Sequence, residues 1–216
     1  MKRQQVIVVG LGRFGSAVAR ELQALGHEVL GVDQDESNVN EIARDVTHAI
    51  QLDASDEDAL RAAGAGDFNV AVVAMSSNVE ASIFATMALK KLGVANVIAK
   101  AAGELHGSIL ERVGADRVVY PEREMGIDVA HTIAAPEVLD YIDLAPDFGI
   151  QKMRPPASIV GRTLRELDLS GRHGVTLLAL RRDERIVLNP EASERIEEGD
   201  ELVIAGPDDR LERLGS

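Results

Sequence analysis

The sequence contains no cysteine. That excludes disulfide staples, thiolate-bound zinc and a cysteine nucleophile, and it fits a reducing compartment. Positive charge is scarce as well: 23 Lys and Arg stand against 36 Asp and Glu, a formal net charge of −13. Non-specific nucleic-acid binding depends on Lys and Arg meeting phosphates, so a chain this acidic is poorly suited to it, and equally to docking on anionic lipid. No stretch reaches the roughly 18 uninterrupted apolar residues of a membrane-spanning helix. The opening MKRQQVIVVGLG sets basic residues before an apolar run, but that run breaks into glycines too soon for a signal-peptide core and lacks a small-residue cleavage site. We read it as a buried first strand and expect a soluble, cytoplasmic chain. Internal repeats, low-complexity tracts and an acidic tail are also missing.

What is present is an ordinary globular balance, 45% hydrophobic and 27% charged over 216 residues, enough for one or two domains. Short β-branched runs stand at Gln5–Val9, Glu28–Val32, Thr47–Leu52, Val70–Ala74, Asn96–Lys100 and Arg117–Tyr120. Apolar runs without alternation are strands buried on both faces. Helical spacing lies between them, as in Val18, Leu22 and Leu25, or Ile83, Met87 and Lys90. Strand and helix in alternation imply a parallel sheet with right-handed crossovers, and six such units fill a doubly wound, Rossmann-like α/β domain. Gly26, Gly93 and Gly114 each follow a helical stretch, where a left-handed glycine closes the helix.

After Pro121 the pattern changes. The spacing predicts a helix over Glu122–Ala135 with Met125, Val129 and Ile133 on one stripe. It either packs on its own sheet or crosses to a partner subunit, and the sequence by itself favours the first. Further on the texture is β-rich, at Tyr141–Leu144, Gly149–Met153, Val175–Arg181, Arg185–Leu188 and Glu201–Ala205, with a hairpin turn at Arg182–Glu184 and short helices at Thr163–Leu167 and Asp208–Leu214. We expect a domain over 1–140 that includes the crossover helix, and a smaller α+β C-terminal domain over 141–216.

The chemistry-bearing motif is Gly10-Leu11-Gly12-Arg13-Phe14-Gly15, a GxGxxG loop set directly between an apolar strand and a helix. Gly10 permits the tight turn, Gly12 lets the backbone approach a pyrophosphate, and Gly15 lets helix and sheet pack closely. Asp33 closes the second strand at about the 20-residue distance where an acid accepts hydrogen bonds from ribose hydroxyls, and its charge disfavours a 2′-phosphate. Its other reading is a helix cap or a solvated acid. Gln34 beside it, Asp53 and Ala54 after the third strand, and Met75, Ser76, Ser77 and Asn78 after the fourth share the carboxyl edge of the sheet, where ligands bind in such folds. Asp53 equally suits an N-cap for the segment that follows. The loop and acid do not separate NAD from ATP or ADP. Arg13 suits a triphosphate by its permanent charge, or else is solvated or paired with a local acid.

Signs of catalysis are missing. There is no Walker lysine, His27, His48, His106, His131 and His173 are scattered without metal spacing, and the C-terminal segment is too small for a dehydrogenase substrate domain. The nucleotide is expected to be sensed and not consumed. The competing readings are an NAD-dependent oxidoreductase and an NAD(H)-linked DNA-binding redox sensor; the net charge and the absence of a basic recognition helix weigh against the latter.

With these residues assembled, the chain resembles the RCK family (regulators of K⁺ conductance), nearest its KtrA-like branch, the cytosolic regulatory subunits of bacterial Ktr potassium transporters, with TrkA a relative. The resemblance runs through VIVVGLGRFGSAVARELQALGHEVLGVD, HAIQLDASD, LERVGADRVVYPEREMG, VLDYIDL, GVTLLALRRDERIVLNP and EEGDELVIAG, and so covers essentially the whole chain. It implies an N-terminal Rossmann-like RCK_N domain binding ATP or ADP, or NAD(H) in some relatives, and an RCK_C domain. It also implies dimers paired through the helix after the sixth strand, an octameric ring of four dimers, and a membrane potassium-transporter partner whose activity the nucleotide controls.

The resemblance assigns roles residue by residue. Arg13 reaches toward the terminal phosphate across the dimer. Lys100 and His106 line the pocket. Glu122 ligates a divalent cation, Mg²⁺ or Ca²⁺, among the phosphates at the dimer interface. Read from the residues alone, Glu122 is a first-turn acid at a helix N-terminus. Some relatives bind cyclic di-AMP between paired RCK_C domains. Arg172, His173, Asn189 and Pro190 stand where that pocket would be, and read by themselves as a solvated loop and a turn.

Overall fold

A computed structural model describes residues 3–75, 77–134 and 137–215. They form two compact units, Met1–Pro121 and Glu122–Ser216. The helix that begins at Pro121 runs into the second of these units.

The first unit is a six-stranded parallel sheet of β1 (Gln5–Val9), β2 (Glu28–Asp33), β3 (His48–Gln51), β4 (Val70–Val73), β5 (Asn96–Lys100) and β6 (Arg117–Val119), in the order β3-β2-β1-β4-β5-β6. Strand β1 shows why the sheet has two covered faces. Ile7 and Val9 enter one apolar core, and Val6 and Val8 enter another on the opposite side. The helices divide accordingly. From α1 (Arg13–Ala24) and α2 (Glu36–Ile42), Ala19, Val39 and Ile42 fill the second core. From α3 (Glu57–Ala62), α4 (Val79–Lys91) and α5 (Glu104–Arg112), Leu60, Leu89 and Leu110 fill the first. Gly26, Gly93 and Gly114 all take left-handed φ at helix ends. In each case the next residue's amide reaches back into the last turn, as His27 does to the Leu22 carbonyl at 3.0 Å.

The helix faces follow the expected apolar stripes in part: Val18, Leu22 and Ile83 pack against the cores, and Leu25 and Met87 do not. In α1 the buried residues are Gly15, Ser16 and Ala19, and Leu25 is 53% exposed. In α4 they are Ser82, Ala85, Thr86, Ala88 and Leu89, while Met87 is 47% exposed. Small side chains let each helix lie close on the sheet, with Val18, Leu22, Ile83 and Leu89 packed at the cores and Leu25, Phe84 and Met87 turned outward.

The second unit begins with α6 (Pro121–Ala134) and continues as a five-stranded antiparallel sheet of β7 (Val138–Ala145), β8 (Phe148–Met153), β9 (Thr176–Arg182), β10 (Arg185–Leu188) and β11 (Glu201–Pro207), in the order β10-β9-β11-β8-β7. The short helices are α7 (Leu164–Leu167) and α8 (Asp208–Gly215). Strands β8 and β11 bury alternate residues, and Met153, Leu202 and Ile204 meet Leu167, Leu180, Ile196 and Leu211 in one core. The β9–β10 hairpin closes on the Arg182–Arg185 pair, with Asp183 at positive φ in a two-residue turn, at the position read from the sequence. Helix α7 begins at a Thr163–Glu166 capping box.

The apolar residues of α6 are largely exposed. Met125, Ile127, Val129 and Ile133 are 61%, 49%, 50% and 75% exposed. Among the described residues no helix is long and apolar enough to cross a membrane.

Candidate functional site

The glycine loop leaves β1 at the point where the sheet order turns back on itself, between β1 and β4. Gly10 has φ +91°, and a side chain there would run into Met75. A β-carbon on Gly15 would collide with the Gly10 carbonyl oxygen and stand 3.0 Å from the Ala74 methyl, so this glycine lets α1 pack onto the strand edge. Gly12 differs: nothing lies within 4 Å of where its β-carbon would be. Of the three glycines of the loop, Gly12 is the one that faces open space.

Leu11 holds the loop at both ends of its peptide. Its amide donates to Asp33 Oδ2 at 2.6 Å, and its carbonyl accepts from the buried Ser16 hydroxyl at 2.6 Å. Asp33 Oδ1 accepts the Asp35 amide at 2.8 Å, and it is Asp35, not Asp33, that caps α2 by accepting from the Ser37 amide. Each carboxylate oxygen has two acceptor sites, so Asp33 retains capacity for a hydroxyl on its open side.

The start of α1 carries no capping side chain and no acid in its first turn, whereas Asp35, Asp56 and Asn78 cap α2, α3 and α4. Its first amides and the positive end of its dipole thus face the opening beside Gly12 uncompensated, which is the arrangement that accepts a phosphate. Arg13, the first residue of α1, is exposed and makes no ion pair among the described residues. Phe14 turns to the other side, where Lys100 Nζ lies 5.5 Å above its ring. Lys100, at the end of β5, is only 7% exposed.

The remaining positions of the carboxyl edge have defined roles. Gln34 is exposed, and its carbonyl accepts from Gln51 Nε2 at 2.9 Å. Asp53 does not cap α3, because Asp56 does; its Oδ1 takes the hydroxyl and amide of Ser55, and these bonds hold its carboxyl below the usual range. Ala54 beside it is buried. Asn78 Oδ1 accepts the Ala81 amide at 3.0 Å, so its side chain serves the α4 cap. Ser77 is exposed and Met75 backs Gly10, while Ser76 lies outside the described residues.

His106 is buried, at 6% exposure. The Ala102 amide donates to its Nδ1 at 3.0 Å, and its Nε2 lies 2.8 Å from Ser82 Oγ. Since Nδ1 accepts, Nε2 carries the proton and donates to Ser82, whose hydroxyl passes on to the Val79 carbonyl at 2.9 Å. The ring is neutral, and burial lowers its pKa. No local pattern announces this network, because its members are 24 residues apart and both are common structural residue types.

In the second unit Glu122 is exposed in the first turn of α6. Among the described residues no group of three or more His, Asp or Glu side chains could hold a metal ion. Arg172 and His173 lie in the wide helical turn Leu169–His173, Arg172 exposed and His173 half-buried. Asn189 follows β10 at φ +45°, with Pro190 next to it.

Residues 6–121 match the TrkA-N domain family, and residues 152–216 match the TrkA-C domain family. The Ktr system potassium uptake protein C of Bacillus subtilis is 36% identical over 204 residues, 94% of this chain and 92% of that protein. The Ktr system potassium uptake protein A of the same organism is 36% identical over 214 residues, 99% of this chain and 96% of that protein. Among solved structures, the GsuK channel bound to NAD aligns with all of this chain at a TM-score of 0.68 and 16% identity. This chain spans 40% of that channel's length, and the likeness is one of fold.

Proposed function

The chain belongs to the TrkA-N and TrkA-C domain family, and on that premise we propose that it is the nucleotide-sensing regulatory subunit of a potassium transporter. The observation that carries this reading is the end-to-end likeness to Ktr potassium uptake proteins. The uncapped, open glycine loop supports it by offering a place for a diphosphate. The amides after Gly12 would take the phosphates, Asp33 the ribose, and the β2, β3 and β4 ends, from Gln34 and Asp53–Ala54 to Met75–Asn78, the flank of the nucleoside. Arg13 is exposed at the phosphate end and would distinguish ATP from ADP by reading the last phosphate. Lys100 would hold Phe14 and add positive charge to the pocket, with His106 bracing its wall.

In this reading subunits pair through the bare apolar stripe of α6 and build toward an octameric ring beside the membrane partner, on the cytoplasmic side. Glu122 would share Mg²⁺ or Ca²⁺ with the phosphates of ATP, because two triphosphates facing across a dimer repel and a cation offsets that repulsion. The turn at Arg172–His173 and Asn189–Pro190 would be the place for cyclic di-AMP. The nucleotide acts by its differential affinity for two states of the assembly, without turnover.

A second reading, NAD(H) in the same cradle, has one observation in its favour: a channel of the same fold was solved with NAD bound. Competition binding of ATP, ADP and NADH to the purified protein separates the two. Adenine di- and triphosphates should win. A tenfold preference for NADH, about 1.4 kcal/mol, removes the ATP/ADP mechanism.

A further inference from the structure

Tyr120 is the last residue before Pro121, where α6 starts. Its ring stands directly on the backbone of α5: a β-carbon added to Gly107 would lie 2.7 Å from Tyr120 Cζ, 3.2 Å from Cε1 and inside the hydroxyl. Glycine in a helix interior is unfavourable by about 1 kcal/mol relative to alanine, so a glycine at this place serves the close approach. Gly107 follows His106, whose ring binds the Ala102 amide and Ser82. Ala102 in turn follows Ala101, whose amide donates to the Val119 carbonyl at 3.0 Å, one residue before Tyr120. The contacts close a circuit from the β5 end through Ala102, His106, Gly107 and Tyr120 back to β6. All of it lies within the first unit. The circuit meets the carboxyl edge at Lys100, the residue packed over Phe14 of the glycine loop.

We propose that Tyr120 is a positioning residue that carries the state of the nucleotide pocket to the start of α6, through the Gly107 backbone and the β5–α5 turn. A shift of the β5–α5 turn would press on Tyr120, because the ring rests on α5 where a side chain at Gly107 would stand. Tyr120 then moves the point at which the chain enters α6, two residues before Glu122. This inference rests on the nucleotide-sensing reading and adds the route by which the pocket is coupled to that carboxylate.

The test measures ATP and ADP affinity of the full chain with and without Mg²⁺ by calorimetry, alongside thermal unfolding of the nucleotide-free protein. For Tyr120→Leu the expected result is ADP affinity within about threefold of wild type and at least a fivefold loss of the Mg²⁺-dependent preference for ATP over ADP. Tyr120→Phe keeps the ring and should keep the preference. Gly107→Ala, which displaces the ring and leaves every other side chain in place, should reproduce the loss and decides the matter if Tyr120→Leu does not fold. Equal weakening of ATP and ADP, an unchanged preference in folded variants, or failure of both variants to fold marks a structural role and overturns the coupling while the nucleotide-sensing reading stands. A wild-type protein that binds neither nucleotide, or binds both alike, overturns that reading and the coupling together.

Discussion

The amide of Leu11 and the carboxylate of Asp33 meet at 2.6 Å, tying the glycine loop after β1 to the end of the neighbouring strand. The acid expected to bind a ribose therefore also shapes the turn that would bind the phosphates. Replacing Asp33 by Ala removes the acceptor for two backbone amides, those of Leu11 and Asp35. The expected outcome is a loss of about 2 kcal/mol in a urea melt, because hydrogen bonds to a charged group are lost and their donors stranded. Nucleotide affinity should fall at least tenfold, read by calorimetry.

The glycines should separate folding from binding. Gly12→Ala meets no atom within 4 Å and φ there is −68°, which alanine accepts. Its stability should stay within about 0.5 kcal/mol of wild type, the usual range for an exposed substitution. Its nucleotide affinity should fall tenfold or more, as the methyl takes the space a pyrophosphate needs. Gly15→Ala drives a methyl into the Gly10 carbonyl and should lose about 2–3 kcal/mol in the same melt.

Arg13 tests the reading of the last phosphate. Its side chain is exposed, so Arg13→Ala should leave the melting temperature unchanged while weakening ATP more than ADP. Equal loss would show that the guanidinium does not read the last phosphate. Glu122→Gln should abolish the extra thermal stabilisation that Mg²⁺ gives the ATP complex; an unchanged Mg²⁺ shift removes Glu122 from the cation.

His106 gives the fold a pH dependence with a definite sign. It is neutral when folded because burial lowers its pKa and Nδ1 accepts an amide, whereas in the unfolded chain it titrates near its ordinary value of about 6.5. Below that pH the unfolded chain takes up the proton first. Stability is therefore full above about pH 6.5 and falls as pH drops toward the lowered folded value, by at most about 1.4 kcal/mol per pH unit. Urea melts at pH 7.5 and 5.5 should show this loss in the wild type and a smaller one in His106→Asn.

Asp200 is fully buried and takes Arg182 Nε at 2.7 Å, Arg182 Nη2 at 2.9 Å and the Glu197 amide at 2.8 Å. These bonds outweigh burial and hold its carboxyl below the usual range. Asp200→Ala leaves an arginine partly buried without its main partner and should lose about 3 kcal/mol. For the wild type this contribution is present above the unfolded carboxylate pKa of about 3.9 and disappears as acid protonates Asp200 in the folded protein.

The strands and the glycine loop were legible because each is written in contiguous residues. Apolar runs mark β1 to β5, and the spacing from Gly10 to Asp33 follows from one strand-helix-strand unit. The hairpin at Asp183–Glu184 was equally local. The helix faces were less so: a sheet-packed helix buries Ser82 and Ala85 and turns Met87 outward, which a search for bulky apolar residues misreads. The stripe on α6 was visible in the sequence, but whether a helix covers such a stripe with its own sheet is decided by the path of the whole chain. The pairs His106–Ser82, Tyr120–Gly107 and Arg182–Asp200 join residues far apart in sequence, and nothing in either partner's neighbourhood names the other. Asp53 misled for a related reason: three acids or hydroxyls follow one another at 53, 55 and 56, and only the geometry shows that Asp56 takes the cap.

Leu11 is fixed at its amide by Asp33 and at its carbonyl by Ser16. The turn that would greet a phosphate is thus held by two hydrogen bonds of its own, with no anion needed to make them. An entering anion would lose little to the ordering of this segment, so selectivity among nucleotides should be expressed in how long each one stays.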